Sequence, residues 1–140
     1  MMYVLDTNVV SELRKANTGK ADRHVMAWIG SNPAASMFLS VISVLELERG
    51  TLLLERRDRL QGTMLRSWLE NQVAPSFAGR ILPVDTAVAR RCASLHVPNP
   101  RSYRDALIAA TALVHGMTVV TRNVSDFEPT GVTLLNPWGD

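Results

Sequence analysis

Short apolar runs of four or five residues alternate with longer stretches of helical period along the whole chain. Runs of that length are typical of buried strands, whereas apolar residues that recur at every third and fourth position are typical of amphipathic helices. Strands separated by helices indicate βαβ units and a mainly parallel sheet covered on both faces, an α/β fold. A length of 140 residues is suited to one such domain, predicted to span residues 1–140.

The apolar runs are predicted as strands and the stretches between them as helices. The predicted strands are 2–5, 36–40, 81–84, 117–121 and 132–135. The predicted helical segments are 7–15, 21–31, 41–56, 59–78, 85–96 and 102–116. Ligands of parallel sheets bind beyond the carboxyl ends of the strands. Polar residues that directly follow a strand are therefore the first candidates for a functional site.

Composition narrows the class of protein. Hydrophobic residues at 46% and charged residues at 20% are globular values. No apolar run is long enough to span a bilayer, and the first residues do not resemble a signal peptide, so a cytoplasmic protein without membrane association is expected. The single cysteine, Cys92, excludes an internal disulfide and a cysteine-rich zinc site. Arginine greatly outnumbers lysine, which permits a nucleic-acid or an acidic protein partner.

Three aspartates stand where a strand or loop gives way to a helix. Asp6 follows the first strand, in VLDTN, and could cap the next helix or bind a metal at the sheet edge. Asp85 has nearly the same context, in ILPVDTAV, and is interpreted as a cap. Asp105 forms a capping-box pattern with Ser102, yet it could also be a ligand. Position after a strand therefore does not identify a site.

Two further pairs of polar residues are candidates. Glu46 and Glu48 lie in a helix that otherwise looks buried, and an unpaired buried carboxylate costs several kcal/mol. They are about 200° apart on a helical wheel, so only one can face a given site, and periodicity does not say which. Asn123 and Asp126 follow the strand 117–121 and could be ligands or turn residues.

Several acids at one sheet edge would repel one another, and a hard divalent cation is the simplest compensation. Magnesium takes oxygen ligands and retains waters, which suits a phosphate-bearing substrate. Other chemistries have less support, because the sequence has no glycine-rich dinucleotide loop, no P-loop and no nucleophile elbow. The histidines show no zinc-binding spacing; they are His24, His96 and His115.

Four segments follow one another along the chain: VLDTNVVSEL, ELERG, RDALIAATA and VTRNVSDF. In this order they resemble the motifs of PIN-domain ribonucleases, especially the VapC toxins of the FitB-like branch. The segments ILPVDTAVAR and TGVTLLNPW extend the resemblance over nearly the whole chain.

The resemblance implies which acids form the active site. Asp6, Glu46 and Asp105 match the family's catalytic acids, which gather around Mg²⁺ or Mn²⁺, and the motif favours Glu46 over the second glutamate of ELERG. Many relatives have an aspartate where this chain has Asn123, and Asp126 is the nearby carboxylate. Asp126 is therefore a fourth catalytic candidate, and which of the two residues completes the metal shell is left open.

The resemblance also implies the fold, the activity and the partners. The fold would be a three-layer α/β/α sandwich around a mainly parallel sheet of about five strands. The activity would be metal-dependent endonucleolytic cleavage of RNA by the toxin of a type II toxin–antitoxin pair. Thr7, Asn8 and Arg122 would contact the substrate or support the acids. A homodimer is expected, together with a VapB-like or FitA-like antitoxin whose C-terminal segment covers the acidic site.

Three alternatives stay open at this point. The chain could be a PIN nuclease that acts on DNA or in RNA processing. It could be a catalytically weakened PIN domain that binds a metal and a partner, because Asn123 replaces a common aspartate. A signalling receiver domain has less support, because such a domain needs a lysine late in the chain and both lysines precede residue 21.

Overall fold

The structure, a computed structural model, describes residues 1–139 and contains five strands in that part of the chain. They are β1 (Tyr3–Leu5), β2 (Met37–Ser40), β3 (Ile81–Leu82), β4 (Thr118–Val120) and β5 (Leu134–Leu135). All neighbouring strands pair in parallel, in the order β3-β2-β1-β4-β5. The strand order reverses beside β1, which makes the gap between β1 and β4 the switch point where such sheets bind ligands.

Helices connect the strands. They are α1 (Thr7–Leu13), α2 (Arg23–Ser31), α3 (Val41–Arg57), α4 (Arg59–Trp68), α5 (Ala74–Ser76), α6 (Thr86–Leu95), α7 (Tyr103–His115) and α8 (Val124–Phe127). One π-helical turn, Leu69–Val73, joins α4 to α5. Short 3₁₀ turns occur at Ala16–Thr18, Ala34–Ser36 and Glu128–Thr130.

The two faces of the sheet are covered by different helices. Val4 and Val119 are fully buried in one core with residues of α6, α7 and α8. Leu5 and Val120, the next residue of each strand, are fully buried in a second core with residues of α1, α2 and α3. Because successive strand side chains point to opposite faces, these alternating burials establish the predicted three-layer sandwich.

The predicted elements occur in the predicted order, with differences at their ends. The third strand has two residues rather than the four predicted at 81–84, because Pro83 has no amide to continue the ladder. The helical segment predicted at 59–78 consists of α4, the π-helical turn and α5. Asp85 caps α6 as predicted, since its carboxylate accepts a hydrogen bond from the Val88 amide at 2.9 Å.

The hairpin of α3 and α4 is closely packed. A Cβ atom on Gly62 of α4 would lie only 2.4 Å from Glu55 Cα of α3, so only glycine allows this approach of the two helices. Within residues 1–139, no helix combines the length and the apolar character needed to cross a membrane.

Candidate active site

Asp6 lies at the switch point of the sheet. It directly follows β1, and its amide donates to the Val120 carbonyl of β4 at 2.9 Å. Its side chain is fully buried. Oδ1 accepts a hydrogen bond from the Thr7 amide at 2.7 Å, and Oδ2 accepts one from Thr121 Oγ1 at 2.7 Å. Asp6 therefore caps α1 and also brings a carboxylate to the sheet edge, so the two interpretations of VLDTN are compatible.

The structure separates the two glutamates of ELERG. Glu46 Oε1 accepts a hydrogen bond from Thr7 Oγ1 at 2.5 Å, and Thr7 follows Asp6 directly. Ser43 Oγ lies 2.9 Å from Thr7 Oγ1. Glu48 instead binds Arg66 of α4, with both of its oxygens 2.7 Å from guanidinium nitrogens. Glu46 therefore belongs to the site at the sheet edge, and Glu48 to the α3–α4 hairpin.

One guanidinium joins three carboxylates at the sheet edge. Arg104 donates through Nη2 to Asp6 Oδ1 at 2.5 Å, through Nε to Glu46 Oε2 at 2.6 Å and through Nη1 to Asp105 Oδ1 at 2.8 Å. We call these four residues the acidic cluster. Three carboxylates and one guanidinium leave the acidic cluster with a formal charge of about −2.

Asp105 contributes to this cluster from the first turn of α7. The Ser102 hydroxyl accepts a hydrogen bond from the Asp105 amide at 3.3 Å, as the capping box predicts. The Asp105 carboxylate binds Arg104 rather than completing the reciprocal half of the box. The capping interpretation of Asp105 is therefore only half correct, because the neighbouring guanidinium competes for its carboxylate.

Hydrogen bonding shifts the pKa values of Glu46 and Arg104 in favour of their charged forms. Burial raises the pKa of Glu46. Hydrogen bonds from Arg104 and Thr7 lower this pKa by more than burial raises it, so the net pKa is below its usual value. Burial lowers the pKa of Arg104, but its bond to Glu46 and the charge and hydrogen bond of Asp6 raise it more. The pKa of the Arg104 guanidinium is therefore above its usual value, and Arg104 is a permanent cation.

An open groove of about 430 Å³ runs beside the acidic cluster. Its lining includes Thr7, Asn8 and Lys15, together with Arg122 and Trp138. The Arg122 guanidinium carbon lies 5.4 Å from the centroid of the Trp138 ring, within the range of a cation–π contact. The buried Oδ1 atom of Asn8 has no hydrogen-bond partner among residues 1–139.

Asn123 and Asp126 lie farther from the acidic cluster in the hydrogen-bond network. The backbone amide of Asn123 donates to Thr121 Oγ1 at 3.0 Å, and Thr121 Oγ1 donates to Asp6. The backbone of Asn123 is therefore linked to Asp6 through one hydroxyl group. Asp126 is exposed in the first turn of α8. No ion pair joins it to Arg104 within the described part of the chain. The structure thus brings together three of the four predicted acids.

The donor set fits a hard divalent cation. The available groups are carboxylate oxygens and the unpartnered Asn8 oxygen, the atom types that Mg²⁺ and Mn²⁺ prefer. Within residues 1–139, however, no three acidic, histidine or cysteine side chains are already arranged around an ion site. The guanidinium of Arg104 instead contacts the three carboxylates.

Sequence reasoning missed two residues of the site. Arg104 was not a candidate, although it precedes Asp105 in RDALIAATA. A basic side chain beside a candidate ligand, in the first turn of a helix where a positive charge is disfavoured, is the signal that could have identified it. Thr121 ends the run MTVVT, and its hydroxyl resembles any other strand-end threonine in the sequence.

A family model for the PIN domain matches residues 3–128. The chain therefore belongs to the PIN-domain family, and the resemblance inferred from its motifs is confirmed. It is similar to the VapC ribonuclease Y4jK of Sinorhizobium fredii, with 42% identity over 98% of each chain. It is also similar to the toxin FitB of Neisseria gonorrhoeae, with 38% identity over 99% of this chain and 100% of FitB.

Solved structures confirm the predicted fold. The structure of FitAcB from Neisseria gonorrhoeae matches with a TM-score of 0.89 and 36% identity, over 99% of this chain and 100% of that chain. The structure of DNA-bound VapBC from Salmonella typhimurium matches with a TM-score of 0.72 over 98% of both chains. At 23% identity, the second match shows the fold alone.

Proposed function

We propose that this protein is the endoribonuclease toxin of a type II toxin–antitoxin pair, acting in the cytoplasm with Mg²⁺ or Mn²⁺. One observation carries the proposal: Asp6, Glu46 and Asp105 converge on one guanidinium, and Asp6 lies at the switch point of the sheet. The relatives support it, since one is named a VapC ribonuclease and another the toxin FitB.

The acidic residues would have different roles in catalysis. Asp6 and Asp105 would chiefly hold the divalent ion, and Glu46 would help to hold it or orient the attacking water. Asn123 or Asp126 would complete the shell. Bound there, the ion would supply a water of lowered pKa and would offset the charge of the phosphate. Thr121 and Thr7 fix the carboxylates of Asp6 and Glu46 through the hydrogen bonds described above.

The groove beside the acidic cluster is suited to a single strand of RNA. Arg122 and Lys15 line the groove and would provide positive charge for phosphates, although Lys15 is also paired with Glu12 at 3.2 Å. Trp138 adds an aromatic surface, and aromatic side chains are common contacts for unpaired bases. The open shape of the groove allows a chain to pass through rather than enclosing a small substrate.

The partner would be a VapB-like or FitA-like antitoxin. The solved FitAcB structure and the VapBC structure are support from related proteins. The chain itself exposes large apolar side chains on the α3–α4 hairpin, which is unusual for a surface without a partner. They are Leu45, Leu52, Leu53, Leu60 and Met64. The homodimer implied by the resemblance remains a prediction.

The test of this function is RNA cleavage by the purified chain. Single-stranded RNA incubated with Mg²⁺ or Mn²⁺ should be cut internally, and EDTA should stop the reaction. Asp6→Asn should reduce the rate by about a hundredfold or more, because a carboxylate metal ligand is lost while an oxygen that can cap α1 is retained.

The matched control is Asp85→Asn, which changes an acid in a nearly identical sequence context outside the site. Asparagine is an equally good helix cap, so cleavage should stay within about twofold of the parent. Wild-type protein that cleaves no RNA with either ion, or an Asp6→Asn variant as active as the parent, would contradict the proposal.

A second candidate function is favoured by Asn123, which by the family resemblance stands where an aspartate is expected. In that case the domain would bind a metal and a partner with weakened catalysis. Calorimetric binding of Mn²⁺ without turnover of RNA would support this function. Parallel digestion of single-stranded DNA would test the remaining alternative, a PIN nuclease with a DNA substrate.

A further inference from the structure

Arg104 occupies the space between the three carboxylates of the acidic cluster. Its Nε, Nη1 and Nη2 atoms each bind a different carboxylate, at distances from 2.5 to 2.8 Å. Without this cation, three carboxylates from three separate elements would face one another in a partly desolvated site, which is costly. Arg104 is therefore what allows the carboxylates to converge in the protein alone.

In Asp6 and Glu46, Arg104 binds the carboxylate oxygen that does not accept a hydrogen bond from a threonine hydroxyl. Thr121 holds Oδ2 of Asp6, and Arg104 binds Oδ1. Thr7 holds Oε1 of Glu46, and Arg104 binds Oε2. A divalent ion shared by these acids would need the same oxygens. The guanidinium and the ion therefore compete for one set of atoms.

The location of Arg104 favours its exchange. It lies in the first turn of α7, where the helix dipole disfavours a positive charge, so the carboxylates rather than the helix retain it. About a third of its side chain is exposed (32%). It also lines the open groove with Arg122 and Trp138. Its long stem can therefore rotate into the groove without any change in the helix.

We propose that Arg104 is a positioning residue that holds the acidic cluster together when no divalent ion is bound and yields its bonds to the ion, thereby setting the metal affinity of the site. This inference rests on the proposed function only in taking the acidic cluster as the metal site. Only molecules in which Arg104 has released the carboxylates can bind the ion. The apparent metal affinity is therefore the intrinsic affinity multiplied by the fraction of molecules in that state.

Calorimetric titration with Mn²⁺ at neutral pH tests the inference on the full chain. In Arg104→Gln the competing cation is absent, so Mn²⁺ should bind about tenfold more tightly than in wild type. Arg104→Lys keeps the charge but presents its donors from one nitrogen instead of the three that bind the carboxylates here, so its affinity should be intermediate. In EDTA, Arg104→Gln should melt at a lower temperature than wild type. Addition of Mn²⁺ should remove this difference in melting temperature.

The matched control is Arg49→Gln. Arg49 is exposed on α3 and lowers the pKa of Glu46 through its charge, without a hydrogen bond to it. Its removal therefore tests the effect of charge alone, and Mn²⁺ affinity should stay within about twofold of wild type. A tenfold gain in Arg49→Gln would overturn the specific role of Arg104.

Unchanged or weaker Mn²⁺ binding in the Arg104 variants would also overturn the inference. If Arg104→Gln does not fold, Arg104→Lys alone decides, because it retains a cation at the site. RNA cleavage by wild type together with unchanged affinities would leave the proposed function in place and refute this inference. The predicted affinities without any RNA cleavage would do the reverse.

Discussion

Residues 1–139 contain two clusters in which one arginine binds three acids, and they differ in what surrounds them. Arg66 binds Glu48, Glu55 and Glu70, all from the α3–α4 hairpin and its π-helical extension, and Glu70 is 59% exposed. The acids that Arg104 binds come from three separate elements: Asp6 follows β1, Glu46 lies in α3 and Asp105 lies in the first turn of α7. Asp6 is fully buried. The Arg66 cluster joins neighbouring helices at the surface. The acidic cluster joins remote parts of the chain beside a groove.

The difference shows that ion-pair geometry alone does not identify a functional site. Both arginines bind their acids at short distances, and the Glu48–Arg66 pair is bidentate. The acidic cluster differs in that Asp6 is fully buried and its acids come from separate elements beside an open groove of about 430 Å³, whereas Glu48 and Glu70 line a cavity of about 140 Å³. Burial makes a cluster of like charges costly, so the acidic cluster needs a reason beyond stability.

The largest expected contrast between the two clusters is in catalysis. Glu46→Gln should reduce RNA cleavage by about a hundredfold, because a metal ligand or the group that orients the water is lost. Glu48→Gln, two residues away on the same helix, should change cleavage by less than about threefold, because Glu48 faces Arg66. The measurement is the initial rate on one labelled RNA with Mg²⁺. Equal losses in both variants would break the distinction between the clusters.

A smaller contrast is expected in stability and its salt dependence. Arg66→Gln should lower the melting temperature by about 2–4 °C at low salt, since its surface ion pairs are individually weak. In 0.5 M NaCl the difference should shrink, because exposed charges are screened. The melting-temperature loss of Arg104→Gln in EDTA should be less sensitive to salt, because that cluster is partly buried. Thermal melts at the two salt concentrations compare the clusters directly.

The smallest expected effect is in the pH dependence of stability. The pKa of Glu46 is lowered in the folded protein, so its charged form stabilises the fold above the ordinary carboxyl pKa of about 4.3, and this contribution is lost as the pH falls through the lowered pKa. Glu46→Gln should therefore melt about 1–2 °C below wild type at pH 7, and this difference in melting temperature should close toward pH 3. Thermal melts in EDTA across this pH range measure the gap. A gap that widens toward pH 3 would contradict the cause assigned to the pKa shift.

Much of the fold was predictable because its rules are local. Strand–helix alternation gave the parallel sheet, and a polar residue after an apolar run gave the caps at Asp6 and Asp85. The ends of the strands were less predictable, because two-residue strands such as β5 depend on the partner strand rather than on their own sequence. The π-helical turn within 59–78 has no signal in the apolar spacing.

The site was predictable only in part. Asp6 and Asp105 were candidates by position, whereas Glu46 and Glu48 could not be distinguished by periodicity, since the choice depends on which helix packs beside α3. Two of the acids that Arg104 binds, Asp6 and Glu46, lie 98 and 58 residues away in the sequence. No local sequence pattern predicts such contacts. The roles of Asn123 and Asp126 in metal binding remain predictions.

The hydrogen bond between Asp6 and Thr121 spans 115 residues of sequence, so the ribosome adds the residue that supports this acid long after the acid itself. While a ribosome is still adding α7 and β4, the sheet lacks the strand that accepts the Asp6 amide. A nascent chain that ends before β4 therefore lacks both the carbonyl and the hydroxyl that hold Asp6 at the sheet edge. The acidic cluster gains its full support only when Thr121, one residue after β4, has been added.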